Sequence, residues 1–296
     1  MKRIFYILIL LLFGSCLKEE YPQNEFKEQL VVEGFIEQDG VAKVMLSLNM
    51  NKTEEISEES LREKIVRYAK LRVTDVDNND SEDLIGMINK KYPTQFIYTS
   101  SRIRGRVGGT YRLDIEYNGP IESLNGRKWS AETTIPEPNK LYDIKMEHVE
   151  GYLYRLTAKI KPNKDGLPYM VRCATAFTEK DQPLYFPPAL FGIIESCDKE
   201  TTITINRALD YSNILEYSTM FLQFEDVYIQ FCTMEEFGYK YWSIWENCTL
   251  NSLNPVFPVD EVPPTNISGG AAGIWMGYGV SYYRVRPYST PIVPLQ

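Results

Sequence analysis

Apolar and polar side chains alternate one by one in many short segments of this chain. In residues 110–117, TYRLDIEY, every second residue is apolar and the residues between them are polar or charged. Because side chains of a β-strand point alternately to opposite faces, this pattern places one face in a core and the other in water. The same reasoning predicts further strands at residues 30–37, 42–48, 69–75, 94–100, 128–134, 142–146, 152–160 and 220–231.

The predicted strands are short, and Gly, Asn and Asp separate them, which is typical of antiparallel β-sandwiches. We expect a mainly β protein with an immunoglobulin-like β-sandwich at residues 29–138. A second β-rich domain with one or two short helices is expected at residues 139–296. The segment Pro136-Glu137-Pro138 is predicted to be a stiff connector, because proline fixes its own torsion angle and biases the preceding residue towards extended conformations.

Two segments break the β pattern and predict helices. Residues 54–66 carry acidic residues early and basic residues late, which suits the helix dipole. Residues 233–247 have Thr233 as a candidate N-cap, followed by Glu235 and Glu236 in the first turn. This second segment carries an aromatic stripe that we interpret as core packing, with a ligand platform as the alternative. The stripe consists of Phe237, Tyr241, Trp242 and Trp245.

The N-terminus is typical of a signal peptide at residues 1–15. Lys2 and Arg3 precede an uncharged apolar run at residues 4–13. As a helix, this run reaches about 15 Å, roughly half of the hydrocarbon core of a bilayer. It is therefore predicted to direct export and not to span the membrane permanently. An ordinary secretory signal cleaved near Ser15 is the alternative.

A lipoprotein signal accounts for the cysteine that follows this run. Phe13, Gly14 and Ser15 resemble the apolar-small-small pattern of a lipobox, with Phe13 in place of the usual leucine. Cys16 would then become the acylated first residue of the mature chain. Lipid chains such as palmitate gain about 0.8 kcal/mol per buried methylene, so two or more chains hold a protein stably at a membrane. We expect a lipidated tether at residues 16–28.

The charges after Cys16 bear on location and partners. Lys18, Glu19 and Glu20 resemble the signal that sends lipoproteins of Bacteroidota to the outer face of the outer membrane, and a solvated tether is the alternative interpretation. We expect an outer-membrane, lipid-anchored protein exposed at the cell surface. The chain has a formal net charge of −8 and no run of lysines and arginines, so nucleic acid is not an expected partner.

Besides Cys16, the chain has four cysteines. In an exported protein disulfides can persist, and four cysteines allow three different pairings. Cys197 and Cys248 lie in polar segments, whereas Cys173 and Cys232 lie in apolar, strand-like segments. We therefore predict one disulfide between Cys197 and Cys248 and another between Cys173 and Cys232. No two cysteines have the CxxC spacing, so neither a zinc site nor a thioredoxin-like site is predicted.

Few residues suggest catalysis. His148, the only histidine, follows the apolar face of a predicted strand and is interpreted as a packed or edge residue, because catalytic histidines need a positioned partner. Glu225 and Asp226 are adjacent in a predicted strand and would face opposite ways, so they would not converge on one substrate. No catalytic residue, cofactor or metal site is predicted. A carboxylate-dependent hydrolase acting on glycans through a more distant pair is the alternative.

Two polar or glycine-rich segments resemble ligand loops only in part. Residues 75–83, DVDNNDSED, lack the glycine and the bidentate glutamate of an EF-hand and are interpreted as a polar turn. Residues 266–279 lack the lysine of a phosphate loop. Their glycines indicate bulges or close backbone approach within a strand, and a ligand-binding rim formed by Trp275 and Tyr278 is the alternative.

Several motifs occur together in a characteristic order along the chain. They are LVVEGFIE, AKLRVTD, VGGTYRLDIEY, WSAETTIPEP, YKYW and NISGGAAGIWMGYG. Together they resemble the Bacteroidota lipoprotein family called domain of unknown function 4249. The resemblance implies an accessory role to a TonB-dependent receptor, in nutrient capture or receptor assembly, because such receptors are often encoded beside family members. It brings no catalytic residues, and a structural or adhesive surface subunit is a further alternative.

Overall fold

The computed structural model confirms that the chain is mainly β. It describes residues 26–51, 54–55, 57–88, 96–176, 186–208, 219–252, 261–286 and 293–295. Cys16, predicted to be lipidated, and Lys18, Glu19 and Glu20, predicted to form a sorting signal, lie outside this part of the chain. The helices of the described residues are α1 (Glu58–Glu63) and α2 (Glu236–Ser252). The strands are β1 (Leu30–Glu37), β2 (Val41–Leu48), β3 (Ala69–Asp75), β4 (Asp80–Asp83), β5 (Ile85–Ile88), β6 (Phe96–Arg104), β7 (Thr110–Tyr117), β8 (Lys128–Thr134), β9 (Leu141–Glu150), β10 (Leu153–Ile160), β11 (Tyr169–Ala176), β12 (Pro188–Ile194), β13 (Thr201–Ile205), β14 (Phe221–Leu222), β15 (Asp226–Thr233), β16 (Ala272–Val285) and β17 (Val293–Leu295).

The strands of the described residues form three sheets. The large sheet has the order β12-β11-β15-β16-β1-β2-β6-β5, with β17 added beside β16. The N-terminal small sheet has the order β4-β3-β7-β8, and the C-terminal small sheet contains β13, β10 and β14 with β9 beside β10. Neighbouring strands are antiparallel except β1 and β16, which run parallel with Gly34 opposite Trp275. The first strand and the last long strand of the chain therefore meet at the centre of the large sheet.

Alternate residues of β16 show how the layers are arranged. Trp275 packs in the N-terminal core, between the large sheet and the N-terminal small sheet. Tyr283 packs in the C-terminal core, between the large sheet and the C-terminal small sheet. Because both positions are odd, both small sheets cover the same face of the large sheet. The even-numbered Met276 and Tyr278 pack with α2 on the opposite face.

The glycines of β16 mark places where other backbone crosses this strand. A Cβ atom on Gly277 would lie 2.5 Å from the Thr134 carbonyl oxygen, and one on Gly279 would lie 2.4 Å from that of Pro136. The connector that follows β8 therefore passes directly over β16. The close backbone approach predicted for this glycine-rich segment is confirmed.

The two predicted domains share the large sheet, and the C-terminal segment contributes residues to the N-terminal core. β16 comes from the C-terminal segment, yet its Trp275 is buried among residues of the N-terminal core. β15 and β11 extend the same sheet beyond β16. The immunoglobulin-like topology and the boundaries 29–138 and 139–296 stay predictions.

Both predicted helices are present, with shifted boundaries. Ser57 caps α1, since its hydroxyl accepts a hydrogen bond from the Ser60 backbone N–H at 3.1 Å. The predicted cap of α2 is wrong: Thr233 is a fully buried residue at the end of β15, and its hydroxyl accepts the Asn139 backbone N–H at 3.0 Å. α2 begins at Glu236. Within the described residues, neither helix is long and apolar enough to cross a membrane.

Candidate binding surfaces

The predicted rim of Trp275 and Tyr278 is not at the surface. Trp275 is fully buried, and its indole Nε1 donates a hydrogen bond to the Tyr111 carbonyl oxygen at 3.0 Å. Tyr278 is 1% exposed, and its hydroxyl accepts a hydrogen bond from Trp242 Nε1 at 2.8 Å. The rim prediction is therefore wrong, because β16 is covered on both faces. Both residues hold layers together and do not contact solvent.

The aromatic stripe of α2 packs in a core, as predicted. Tyr241 and Trp242 are buried, and Phe237 and Trp245 are partly buried against the same cluster on the large sheet. Trp242 and Trp245 meet edge to face, with their ring centroids 5.5 Å apart. The stripe supplies the layer between α2 and the large sheet.

A buried arginine lies beneath α2. Arg172, in β11, is 1% exposed, and its guanidinium carbon lies 5.2 Å from the ring of Phe35, 5.5 Å from Trp242 and 5.1 Å from Tyr278. Three aromatic faces at these distances stabilise the cation electrostatically. Burial raises the pKa of Tyr278 well above its ordinary value, so the phenol stays neutral beside Arg172. This site is filled by the chain's own side chain.

A buried carboxylate lies in the same layer. Glu37, in β1, accepts a hydrogen bond from Gln230 Nε2 at 2.7 Å and another from the Tyr282 hydroxyl. Gln230 Nε2 also lies 2.9 Å from the Tyr282 oxygen. Burial, then the charge of Glu37, raises the pKa of Tyr282. The network joins β1, β15 and β16 across the large sheet and so acts as a structural element.

The four predicted disulfide cysteines are free thiols. Cys173 packs in the C-terminal core, whereas Cys232 packs against the α2 layer, so the two point to opposite faces of the large sheet. Cys197 also packs against the C-terminal core, whereas Cys248 lies on α2 and donates a hydrogen bond to the Glu261 carbonyl oxygen. The structure contradicts both predicted pairs, because each would have to cross that sheet. Burial raises the pKa of Cys173 to about 12, so this thiol stays protonated.

The carboxylates considered for catalysis are bound by arginines. Glu225 accepts a hydrogen bond from Arg207 at 2.7 Å. Asp226 contacts Arg284 and Arg286; burial tends to raise its pKa, but these arginine hydrogen bonds and charges lower it below its ordinary value. The adjacent residues Glu225 and Asp226 therefore belong to two separate groups of ion pairs.

His148 is exposed near the end of β9. Its Nε2 lies 3.0 Å from the Gly151 carbonyl oxygen, and its ring meets Tyr154 edge to face at 5.3 Å. This contact agrees with the predicted edge position and brings no nucleophile to the imidazole. Among the described residues, no three His, Cys, Asp or Glu side chains are grouped so that they could hold a metal ion.

A polar turn between β3 and β4 is present at residues 76–79, but residues 80–83 of the segment predicted as a turn form β4 itself. Arg106 bridges Asp75 and Asp77, and Asp75 also accepts the Asn78 backbone N–H. Burial tends to raise the pKa of Glu82, but hydrogen bonds from Ile103 N–H, then from the hydroxyl and backbone of Ser101, lower it to about 2. Protein donors thus occupy these carboxylate oxygens.

The structure also places a shallow cleft of about 410 Å³ on the outer face of the N-terminal small sheet. Four basic and two acidic side chains line it, namely Lys70, Arg72, Arg112, Lys128, Asp114 and Glu116. Arg112 lies 3.0 Å from Asp114, and Lys128 lies 3.4 Å from Glu116. Lys70 and Arg72 pair with Asp83, so each of the four cations already has a carboxylate partner.

Two strongly exposed aromatic residues lie beside the turn between β9 and β10. Tyr152 is 65% exposed and Phe224 is 67% exposed, and their ring centroids are 6.0 Å apart. Val149 and Leu222 are exposed beside them along the chain. We call this group, Val149, Tyr152, Leu222 and Phe224, the hairpin patch.

The hairpin patch is held by a fixed turn. Gln223 N–H donates to the Tyr152 carbonyl oxygen at 2.9 Å, which joins the turn after β14 to the β9–β10 hairpin. Glu225 closes this turn: its backbone N–H donates to Leu222 O at 3.1 Å, and its carboxylate accepts Leu222 N–H at 2.9 Å. Glu225 is 1% exposed and paired with Arg207. The buried Glu225 carboxylate, paired with the partly buried Arg207, therefore fixes Leu222 and the turn that contains Phe224.

The sequence prediction missed the hairpin patch. Residues 220–231 look like one strand, but the structure divides them into β14, a turn and β15. This turn places Phe224 outside the core. The available signal was Gly151 before Tyr152, since glycine is common in hairpin turns, and Gly151 has a positive φ of 53°.

The comparisons with known proteins identify a family but no activity. No curated protein matches the chain. A solved structure of a DUF4785 family protein from Legionella pneumophila matches with 12% identity over 71% of this chain and 54% of that chain, at a TM-score of 0.23. The chain spans about half the length of that protein, and at this TM-score nothing is inferred from the likeness. The family model described as "Domain of unknown function (DUF4249)" matches residues 18–281. The chain therefore belongs to the DUF4249 family.

Proposed function

We propose that this chain is a noncatalytic, surface-exposed outer-membrane lipoprotein that assists a TonB-dependent receptor in nutrient capture or receptor assembly. The hairpin patch is the observation that supports a protein partner. Large apolar side chains exposed together mark contact surfaces more often than single exposed ones do. Aromatic residues are enriched at such contacts, where they carry much of the binding free energy.

The fixed turn favours binding by the hairpin patch. The turns that carry Tyr152 and Phe224 are held by backbone hydrogen bonds and by the buried Glu225 carboxylate, which pairs with the partly buried Arg207. A preorganised surface loses less conformational entropy on binding than a surface that orders only in the complex. Glu147 and Glu150, exposed near the patch in β9, give it a charged border. An apolar centre with a polar rim is the usual anatomy of a protein interface.

The N-terminal signal supports the location of this contact. The lipid on Cys16 would hold the chain at the membrane that contains the receptor. Nine residues lie between Cys16 and Phe26, the first described residue, and these ten residue steps reach at most about 36 Å when fully extended. The anchored body thus stays close to the membrane surface, at a raised effective concentration for a membrane partner.

The double substitution Tyr152→Ala and Phe224→Ala is expected to reduce receptor recovery at least about 10-fold, because removing two central aromatic residues typically costs 2 kcal/mol or more of binding free energy. The measurement is purification of the full lipoprotein from native outer membranes after mild crosslinking, with partners quantified by mass spectrometry. Tyr68→Ala is the matched control, since Tyr68 is 73% exposed outside the patch.

Receptor peptides recovered with the unsubstituted chain and with the Tyr68→Ala variant, but lost with the double variant, support the proposal. Recovery of the unsubstituted lipoprotein without any TonB-dependent receptor would overturn the receptor role. Equal recovery with all three chains would retain a receptor partner but remove the hairpin patch as its contact surface.

A further inference from the structure

The cleft on the outer face of the N-terminal small sheet has the size of a small-molecule site. Its volume of about 410 Å³ lies within the range of roughly 300–1,000 Å³ that is common for ligand pockets. Strand register places its side chains in rows across β3, β7 and β8. The first row is Lys70, Glu116 and Lys128, and the second is Arg72, Asp114 and Ser130, with Arg112 beyond Asp114 on β7. Both carboxylates therefore lie on the central strand, with cations on each side of them.

The charge of this cleft is opposite to that of the whole chain. Four cations and two carboxylates line it, which gives a net charge of +2, whereas the chain has a formal net charge of −8. Asp83 reaches Lys70 and Arg72 from β4, and counting it still leaves four cations for three carboxylates. A concave cationic site attracts anions. A ligand of this cleft is therefore expected to carry negative charge.

The ion pairs leave hydrogen-bond donors in the cleft. Arg72 contacts Asp83 through Nε at 2.6 Å, and Arg112 contacts Asp114 through Nε at 3.0 Å. Within the described part of the chain, these are the hydrogen bonds of the two guanidinium groups, so their terminal nitrogens are available. Both arginines are about half exposed, and exposed ion pairs contribute little to stability. A ligand can therefore approach these cations without breaking a strong interaction.

Oxygen atoms in the same cleft suit the hydroxyl groups of a ligand. The hydroxyl oxygens of Ser130 and Ser268 lie 2.9 Å apart, and Ser268 Oγ also accepts the Ser130 backbone N–H. One hydrogen joins the two hydroxyls, so the other hydroxyl hydrogen has no acceptor among the described residues. The carboxylates of Asp114 and Glu116 are acceptors, and each of their oxygens can accept more than one hydrogen bond. Donors and acceptors thus lie side by side.

We propose that this cleft binds an acidic sugar. Arg72 and Arg112 are diagonal neighbours on β3 and β7, and their planar guanidinium groups match the carboxylate of such a ligand. The sugar hydroxyls donate to Asp114 and Glu116. A simple anion without hydroxyls is repelled by these two carboxylates, and a neutral sugar gains nothing from the excess positive charge. Binding needs neither the lipid anchor nor the hairpin patch, so it does not depend on the proposed function.

Isothermal titration calorimetry of the full lipoprotein, purified in an uncharged detergent, tests this site. The acidic probes are the trisaccharides of galacturonic, glucuronic and mannuronic acid. Galactotriose is the neutral probe, and inorganic phosphate is the simple anion. At least one acidic trisaccharide is expected to bind about 10-fold or more tightly than either comparison probe, because it alone combines charge-assisted hydrogen bonds with hydroxyl donors. This binding should weaken as NaCl is raised, since the charges are exposed.

Substitutions assign the binding to the cleft. The double substitution Arg72→Gln and Arg112→Gln is expected to weaken binding of that trisaccharide at least about 10-fold, because two charged donors are lost. Arg62→Gln is the matched control, since the Arg62 side chain is 53% exposed and pairs with Glu58 outside the cleft. Asp114→Asn keeps an acceptor oxygen but removes a negative charge beside Arg112, so it is expected to tighten binding. A misfolded chain could not produce that gain.

Binding that is weakened in the double variant, retained in Arg62→Gln and tightened in Asp114→Asn supports the proposal. Three results would each overturn it: no binding of any acidic trisaccharide, equally tight binding of galactotriose or phosphate, or equal binding by the double variant and by Arg62→Gln. Receptor recovery through the hairpin patch is a separate readout, so the two proposals can fail independently.

Discussion

Replacing Gly273 by alanine is expected to lower the free energy of unfolding by about 4 kcal/mol or more. Gly273 has a φ of 101°, which residues with a Cβ rarely adopt, and an added Cβ would lie 1.9 Å from the Val32 carbonyl oxygen. Val32 is its partner in the parallel pairing of β1 and β16. The neighbour is backbone at the centre of the large sheet, so the clash cannot be relieved by a side-chain rotation. Chemical unfolding followed by circular dichroism measures the effect.

Gly270→Ala is the matched control for this substitution. Gly270 also has a positive φ, of 77°, but an added Cβ would come no closer than 3.7 Å to its nearest neighbour, the Arg127 side chain. Backbone strain alone should cost about 1–2 kcal/mol. A Gly273→Ala variant that is no less stable than Gly270→Ala would contradict the close pairing of β1 and β16.

Replacing Trp275 by alanine is expected to cost about 3–5 kcal/mol of unfolding free energy, the range for deleting a large buried aromatic side chain. Trp275 is fully buried in the N-terminal core and packs over Gly34, where an added Cβ would lie 2.9 Å from its ring. The substitution also leaves the Tyr111 carbonyl oxygen without its indole donor. The same unfolding measurement applies.

Two comparisons make the Trp275 prediction specific. Trp275→Phe keeps most of the buried ring and should cost less than Trp275→Ala. Tyr152→Ala removes an aromatic residue that is 65% exposed and should change stability by no more than about 0.5 kcal/mol. If Trp275→Ala and Tyr152→Ala lowered the free energy of unfolding equally, this would contradict the burial of Trp275 and the exposure of Tyr152.

Local periodicity predicted much of the fold. β3, β7 and β8 have the boundaries that alternation gives, because each has one buried face and one face in water. β1 also has its predicted boundaries. The local alternation of such a strand shows which of its side chains face the core, so the strand can be found without knowing its partners in the sheet.

Long-range pairing was not predictable in this way. β1 and β16 pair in parallel although Val32 and Gly273 lie far apart in the chain, and no local signal specifies that partner. β15 is buried along its whole length, so alternation is absent. The cysteine pairs failed for a related reason: apolar surroundings indicate burial, but they do not tell which face of a sheet a residue occupies.

The candidate surfaces depend on features that sequence patterns describe poorly. The hairpin patch exists because a turn interrupts an apolar run at Phe224, and Glu225 fixes that turn from inside the protein. The cleft is lined by three paired strands and by Ser268, so it follows from the sheet register and not from one local pattern. By contrast, the glycines of residues 266–279 gave a correct indication of close backbone contact.

The proposed function depends first on the lipid anchor. Mass spectrometry of the N-terminal peptide from the native outer-membrane protein tests it most directly. We expect the mature chain to begin at Cys16 and this residue to carry fatty acyl chains. A chain that retains Met1, or that has an unmodified thiol at Cys16, would contradict a surface lipoprotein and remove the basis for the receptor partnership.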